Sequence, residues 1–227
     1  LGAISGYDDY QLFLINSGAE ANENALKLAS FYNGRTRVIS FAKAFHGRTS
    51  LAVEVTNNPK IIAPINDNGH VTYLPLNDTE ALKAELAKGD VCAVIIEGIQ
   101  GVGGIQLPTT EFMKAIRQAC DETNTVMILD EIQCGMGRTG YMYAWQRFGV
   151  KPDIMTSAKA LGCGVPVGAF MMTEKVAQHS LTAGDHGTTY GGNPLACAAV
   201  EKVLDLFEED HIIEHVREVA PYLEQRL

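Results

Sequence analysis

The sequence predicts an α/β fold, a mostly parallel sheet with helices on both faces. Short apolar runs alternate along the chain with stretches of helical spacing. The runs are apolar throughout, as expected of strands covered on both faces. Glycine clusters at Gly98–Gly104, Gly135–Gly140, Gly162–Gly168 and Gly184–Gly192, mostly a little beyond a run. In a parallel sheet the carboxyl ends of the strands form the ligand edge, so these clusters point to a cleft there.

The candidate strands are Leu12–Ile15, Val38–Phe41, Val91–Ile96, Val126–Leu129, Ile154–Thr156 and Val167–Thr173. After the first, Ala21, Ala25, Leu28 and Ala29 form a narrow apolar stripe on a helix. Asn77-Asp-Thr-Glu80 reads as a capped helix start and Gly89 as its stop. Pro108 precedes a helix bearing Phe112, Met113 and Ile116. Asn193-Pro194 reads as the cap and first residue of a long C-terminal helix, and Ile212 to Leu227 is still helix-like.

At 227 residues, and roughly 150 per domain, one large domain is expected, long enough to bury its own core. The 27 acidic and 18 basic residues leave a net charge of −9, which argues against a nucleic-acid or anionic-membrane surface. No apolar run approaches the ~18 residues of a membrane span, and the N-terminal Leu1 to Asp9 has no signal-peptide pattern. Five cysteines, an odd number without C-x-x-C spacing, read as reduced, buried thiols of a cytoplasmic protein, with no metal site.

Two strands end in acids. Val-Met-Ile-Leu leads to Asp130 and Val-Cys-Ala-Val-Ile-Ile to Glu97. One such acid reads equally well as a helix cap, but two buried carboxylates need partners. Thr156-Ser-Ala-Lys159 sets a lysine between a strand and a glycine-rich loop, without another charge close in sequence. Apolar surroundings disfavour the charged amine and suit Schiff-base chemistry, against the plainer reading of a snorkelling lysine. Ser17-Gly18-Ala19-Glu20 forms a small-residue turn into a helix. It reads as a phosphate cradle of free amides and helix dipole, or as an N-cap by Ser17. Phe45-His46-Gly47-Arg48 offers an aromatic for a flat ring and an arginine for a carboxylate, or a core residue and a solvated charge. Gly135-Met-Gly137-Arg-Thr-Gly140 matches the dinucleotide G-x-G-x-x-G. It is separated from its strand by Glu131–Cys134, and the next strand runs into Lys159 rather than an acid, so that reading is set aside. Together the pieces describe one ligand, with a phosphate, a flat ring, a ring nitrogen needing an anion and a carbonyl needing an amine. That description fits pyridoxal phosphate.

Five ordered segments carry a resemblance. They are Asn-Ser-Gly-Ala-Glu-Ala-Asn-Glu, Ala-Phe-His-Gly-Arg-Thr, Leu-Asp-Glu-Ile-Gln-Cys-Gly-Met-Gly-Arg-Thr-Gly, Ser-Ala-Lys-Ala-Leu-Gly and His-Gly-Thr-Thr-Tyr-Gly-Gly-Asn-Pro-Leu-Ala. In order, over almost the whole chain, they resemble the class III aminotransferases, most of all the branch acting on N-acetyl- or N-succinylornithine. The resemblance implies a fold-type I large domain and a pyridoxal phosphate enzyme. Gly18 and Ala19 would cradle the phosphate, with Ser17 and His46 among the cofactor-binding residues, and Phe45 would pack on the ring. Asp130 would pair with the ring nitrogen, Gln133 would bond the ring hydroxyl, and Lys159 would be the Schiff-base lysine and proton shuttle. Thr189 would reach a phosphate across a homodimer interface, and Thr188 would lie near the substrate. Arg48 would hold the donor carboxylate, with Glu97 and Gln100 near the active site.

The implied reaction moves the side-chain amino group of an N-acylornithine to 2-oxoglutarate, in arginine biosynthesis. Ornithine or 4-aminobutyrate as donor, or a cofactor-binding fragment without turnover, are the alternatives. Where relatives show Glu-Pro-Ile-Gln-Gly-Glu-Gly-Gly, this chain has Gly98 for the proline and Val102 for an acid that masks a substrate arginine in ornithine aminotransferases. That shifts weight toward an acylated donor. Residues 1–227 are expected to be the cofactor-binding large domain, without the family's N-terminal segment and small C-terminal domain, which carries the oxoacid arginine.

Overall fold

The computed structural model describes the chain apart from Tyr7, Asp8 and Leu181 and the side chains of Ala3 and Ile4. In chain order, α1 (Gly2–Ser5) precedes β1 (Tyr10–Ile15), α2 (Gly18–Asn33), β2 (Arg37–Phe41), α3 (Ser50–Glu54) and β3 (Val71–Leu74). Then come α4 (Thr79–Leu86), β4 (Val91–Glu97), α5 (Thr110–Thr123), β5 (Val126–Asp130), α6 (Ala144–Phe148), β6 (Ile154–Ser157) and β7 (Gly168–Thr173). The chain continues with α7 (Glu174–Ser180), α8 (Pro194–Glu209) and α9 (Ile212–Glu224).

Among the described residues the strands form one sheet in the order β1-β7-β6-β5-β4-β2-β3. β7 runs antiparallel to both its neighbours, and the other pairings are parallel. All residues of β4, β5 and β6 are buried, which is why those strands read as unbroken apolar runs. On one face, Ile39, Phe41, Val94, Ile96, Met127 and Leu129 meet Leu82 and Leu86 of α4 and Phe112, Met113 and Ile116 of α5. On the other, Val38, Ala93, Ile95, Ile128 and Ile154 meet Ala21, Ala25, Leu28 and Ala29 of α2. The stripe of alanines lets α2 lie close on the sheet. The helix starts are as expected: Ser17, Asp78, Thr109 and Asn193 each accept a first-turn backbone N–H.

Four expectations change. β3 is an edge strand whose Val71, Thr72 and Tyr73 are only half-buried, so it lacks the apolar signature and was not expected. The long C-terminal helix is two helices, because His211 adopts left-handed backbone (φ 49°) between α8 and α9. The cysteines are all free, but only Cys92, Cys120 and Cys134 are buried, while Cys163 is exposed and Cys197 partly so. The Gly135–Gly140 segment contacts protein: a Cβ on Gly137 (φ 78°) would sit 2.7 Å from Phe207 of α8, so glycine there permits close packing.

Candidate active site

β1, β2, β4, β5 and β6 end on one side of the sheet, and residues at or just beyond their ends surround a cleft of about 530 Å³. The N-terminus of α2 supplies Ser17, Gly18 and Ala19, the turn after β2 supplies Phe45, His46 and Arg48, and β4 supplies Glu97. Asp130 and Gln133 follow from β5, and Lys159 from β6. Separate strands therefore deliver to one cavity the residues that the sequence reading singled out, except Gln100, Thr188 and Thr189; Gln100 is buried outside the lining, its Nε2 donating to the Ala42 carbonyl at 3.1 Å. The Thr188 hydroxyl accepts from Asn16, which lines the cleft, at 3.3 Å. Thr189 is exposed and outside the lining.

Asp130 lies at the buried floor. Its Oδ2 accepts from Asn22 Nδ2 at 2.7 Å and pairs with His46 Nδ1 at 2.8 Å, and its Oδ1 accepts from Ile132 N at 3.0 Å. Glu97 Oε1 accepts from the Phe45 amide at 3.0 Å. Burial raises the Glu97 pKa, partly opposed by His46 and reinforced by the Asp130 charge. At the rim the chemistry is wetter. Lys159 is exposed rather than enclosed among apolar groups, and its Nζ lies 3.4 Å from Gln133 Oε1. Arg48 is also exposed and, among the described residues, has no ion-pair partner.

Ser17 is an N-cap, its hydroxyl accepting from Glu20 N at 3.2 Å. The amides of Gly18 and Ala19 have no intrahelical acceptor and remain available beside the cleft. A Cβ on Gly18 would meet the Ile132 side chain at 2.8 Å, so glycine is what lets the helix start approach the strand-end loop.

Three buried residues of this region escaped the sequence reading. Asn22 and Thr156 are fully buried, and Glu131 is 1% exposed. Asn22 lies on the helix face of Ala25 and Ala29, and a polar residue within an apolar stripe was the available signal. Glu131 accepts from Ala144 N and Trp145 N at 2.9 Å each, capping α6, and burial pushes its pKa up to about 7.

A family description, aminotransferase class-III, matches residues 1–227. The acetylornithine aminotransferase of Methanocaldococcus jannaschii is 46% identical over 224 residues, covering 93% of this chain and 55% of the relative. Among solved structures, an S-selective transaminase from Arthrobacter sp. with alanine bound superposes with a TM-score of 0.90 at 27% identity, over 99% of this chain and 56% of that one. The ornithine aminotransferase of Toxoplasma gondii gives a TM-score of 0.87 at 32% identity, over 93% of this chain and 52% of its own. The chain thus spans about half the length of the relatives it matches. Over that span, likeness in sequence and likeness in fold agree, and the chain belongs to the class III aminotransferases.

Proposed function

We propose that residues 1–227 are the cofactor-binding large domain of a transaminase that moves the side-chain amino group of an N-acylornithine to 2-oxoglutarate with pyridoxal phosphate. A cytoplasmic homodimer is the proposed working form, with Thr189 serving the partner's site and Thr188 lying near the substrate. The observation that carries the reading is the convergence on one cleft of a lysine amine, a buried carboxylate and a helix N-terminus. The relative from M. jannaschii supports the donor, being named for acetylornithine.

The residues fit the cofactor. Its phosphate needs free N–H groups in a positive field, and the Gly18–Ala19 start of α2 offers both, with Ser17 beside them. Three hydrogen bonds already fix the Asp130 carboxyl at the floor of the cleft, where it can accept a hydrogen bond from the protonated ring nitrogen. Phe45 covers a ring face, His46 steadies Asp130, and Gln133 is at hand for a ring hydroxyl. Bound pyridoxal phosphate supplies an aldehyde that takes up an amine and a ring that draws electrons from the adjoining carbon. Lys159 supplies the amine that links to it and then carries a proton between neighbouring carbons. Arg48 grips the distant carboxylate of the donor, while Glu97 borders the substrate space.

The test uses absorbance and trapping. The protein loaded with pyridoxal phosphate should be yellow, N-acetylornithine should bleach it, and borohydride should fix the cofactor on the tryptic peptide containing residue 159. Lys159→Ala should abolish that label. Label on Lys151 or Lys175 overturns the assignment. Colour without bleaching favours a fragment that holds cofactor without turnover, and no colour rejects the reading.

A further inference from the structure

We propose that Asn22 and Thr156 are positioning residues that set both the orientation and the charge of Asp130 toward the cofactor. The inference rests on the cofactor reading above.

A carboxylate has about four acceptor sites. Asn22 Nδ2 and His46 Nδ1 converge on Oδ2 of Asp130, and Ile132 N occupies one side of Oδ1. Three sites are therefore taken by protein, and the one left is on Oδ1 of a residue that lines the cleft. Asp130 can accept one further donor from a ligand, in one direction.

Asn22 has no slack in this arrangement. Its other Nδ2 hydrogen goes to the His46 carbonyl at 2.7 Å, so both its N–H groups are committed. Its Oδ1 accepts from Thr156 Oγ1 at 2.8 Å. The threonine hydroxyl thereby decides which way the amide points. Turning the amide over would aim its oxygen at a carboxylate and a carbonyl, two acceptors, in a fully buried site where unpaired polar groups are costly. Thr156 lies beside Asp130 in the β5–β6 ladder and three residues before Lys159. β6 and the turn directly after it thus carry both the linking amine and the hydroxyl that, through Asn22, orients the carboxylate across the cleft.

Two near-isosteric substitutions test this in the protein loaded with pyridoxal phosphate. Asn22→Asp puts a carboxylate 2.7 Å from Asp130 Oδ2, and two such groups share a proton, which removes negative charge facing the ring. Three quantities are read: cofactor affinity by fluorescence, the pH at which the bound cofactor's absorption band changes, and the rate of bleaching by N-acetylornithine per bound cofactor. Asn22→Asp should slow bleaching on the order of a hundredfold and move the spectral transition. Thr156→Val, keeping the shape and losing the donor, should slow it about tenfold and move the transition the same way. Thr156→Ser should restore both. Should Asn22→Asp fail to fold, the Thr156 pair decides alone. Thermal melting separates a merely structural role. If the variants lose melting temperature and cofactor occupancy, but bound cofactor keeps the wild-type spectral transition and rate, the positioning role is overturned. A wild-type protein that binds no cofactor would instead reject the reading on which this rests.

Discussion

Arg48 and Lys159 are exposed at the rim of the cleft, whereas Asp130 and His46 are buried at its floor. The buried pair is held by its hydrogen bonds, and the exposed cations face the solvent from which a ligand arrives. Lys159 also has left-handed backbone, with φ of 48°, at the first residue of a short 3₁₀ turn. A non-glycine residue there stores roughly 1–3 kcal/mol of strain, which the surrounding fold must hold. Arg48 is where donor choice should be most sensitive. A planar guanidinium binds a carboxylate through two bonds and an ammonium does not. Arg48→Lys should weaken N-acetylornithine by about 2 kcal/mol, roughly thirtyfold in KM, and leave 2-oxoglutarate unchanged. Steady-state kinetics with each substrate varied checks this. Equal damage to both half-reactions would assign Arg48 to the cofactor or the fold instead.

Among the elements, α6 depends on one side chain. Its first-turn amides are capped by Glu131, which follows Asp130 directly and lies in the same buried region. With its pKa at about 7 in the folded protein, against 4.5 for an ordinary glutamate, Glu131 stays protonated while the unfolded chain ionises. Its contribution to stability is therefore whole below pH 4.5 and is lost as pH rises from there through about 7. The loss is about 3 kcal/mol in all. Glu131→Gln has nothing to titrate, although it gives up one of the two backbone bonds. The stability of wild type minus that of Glu131→Gln should fall by about 3 kcal/mol between pH 4 and 8. Urea unfolding across that range reads it, and a constant difference would show that burial does not raise the Glu131 pKa.

For the whole molecule, the sheet beneath the cleft is covered on both faces. Ile95 and Ile96 are neighbours on β4, point to opposite faces and are both buried, one in each main cluster. Ile95→Ala and Ile96→Ala should each cost about 2–5 kcal/mol in chemical denaturation, because each opens a cavity in a separate core. A sheet with one solvated face would show the loss on one side only. Among the described residues no helix is long and apolar enough to cross a membrane. β4 and β5, whose ends carry Glu97 and Asp130, are buried along their full length, as is β6.

Local chemistry was enough for much of this protein. Unbroken apolar runs marked β4, β5 and β6, because a strand covered on both faces has no polar side. Asp78 and Asn193 marked helix starts, because a cap acts on amides two or three residues away. Asp130 and Glu97 stood out because each ends an apolar strand, and Lys159 because it is a lone charge between a strand and a glycine-rich loop. Tertiary structure alone decided the rest. β3 joins the sheet through β2's free edge rather than through its own composition. The reversed direction of β7 follows from the path of the chain, which leaves no trace in a six-residue strand. Asn22 bonds Asp130 across 108 positions and receives Thr156 across 134. A buried amide is satisfied by whatever the fold brings within hydrogen-bond reach, and that partner is set by how strands and helices stack, not by the residues beside it in sequence.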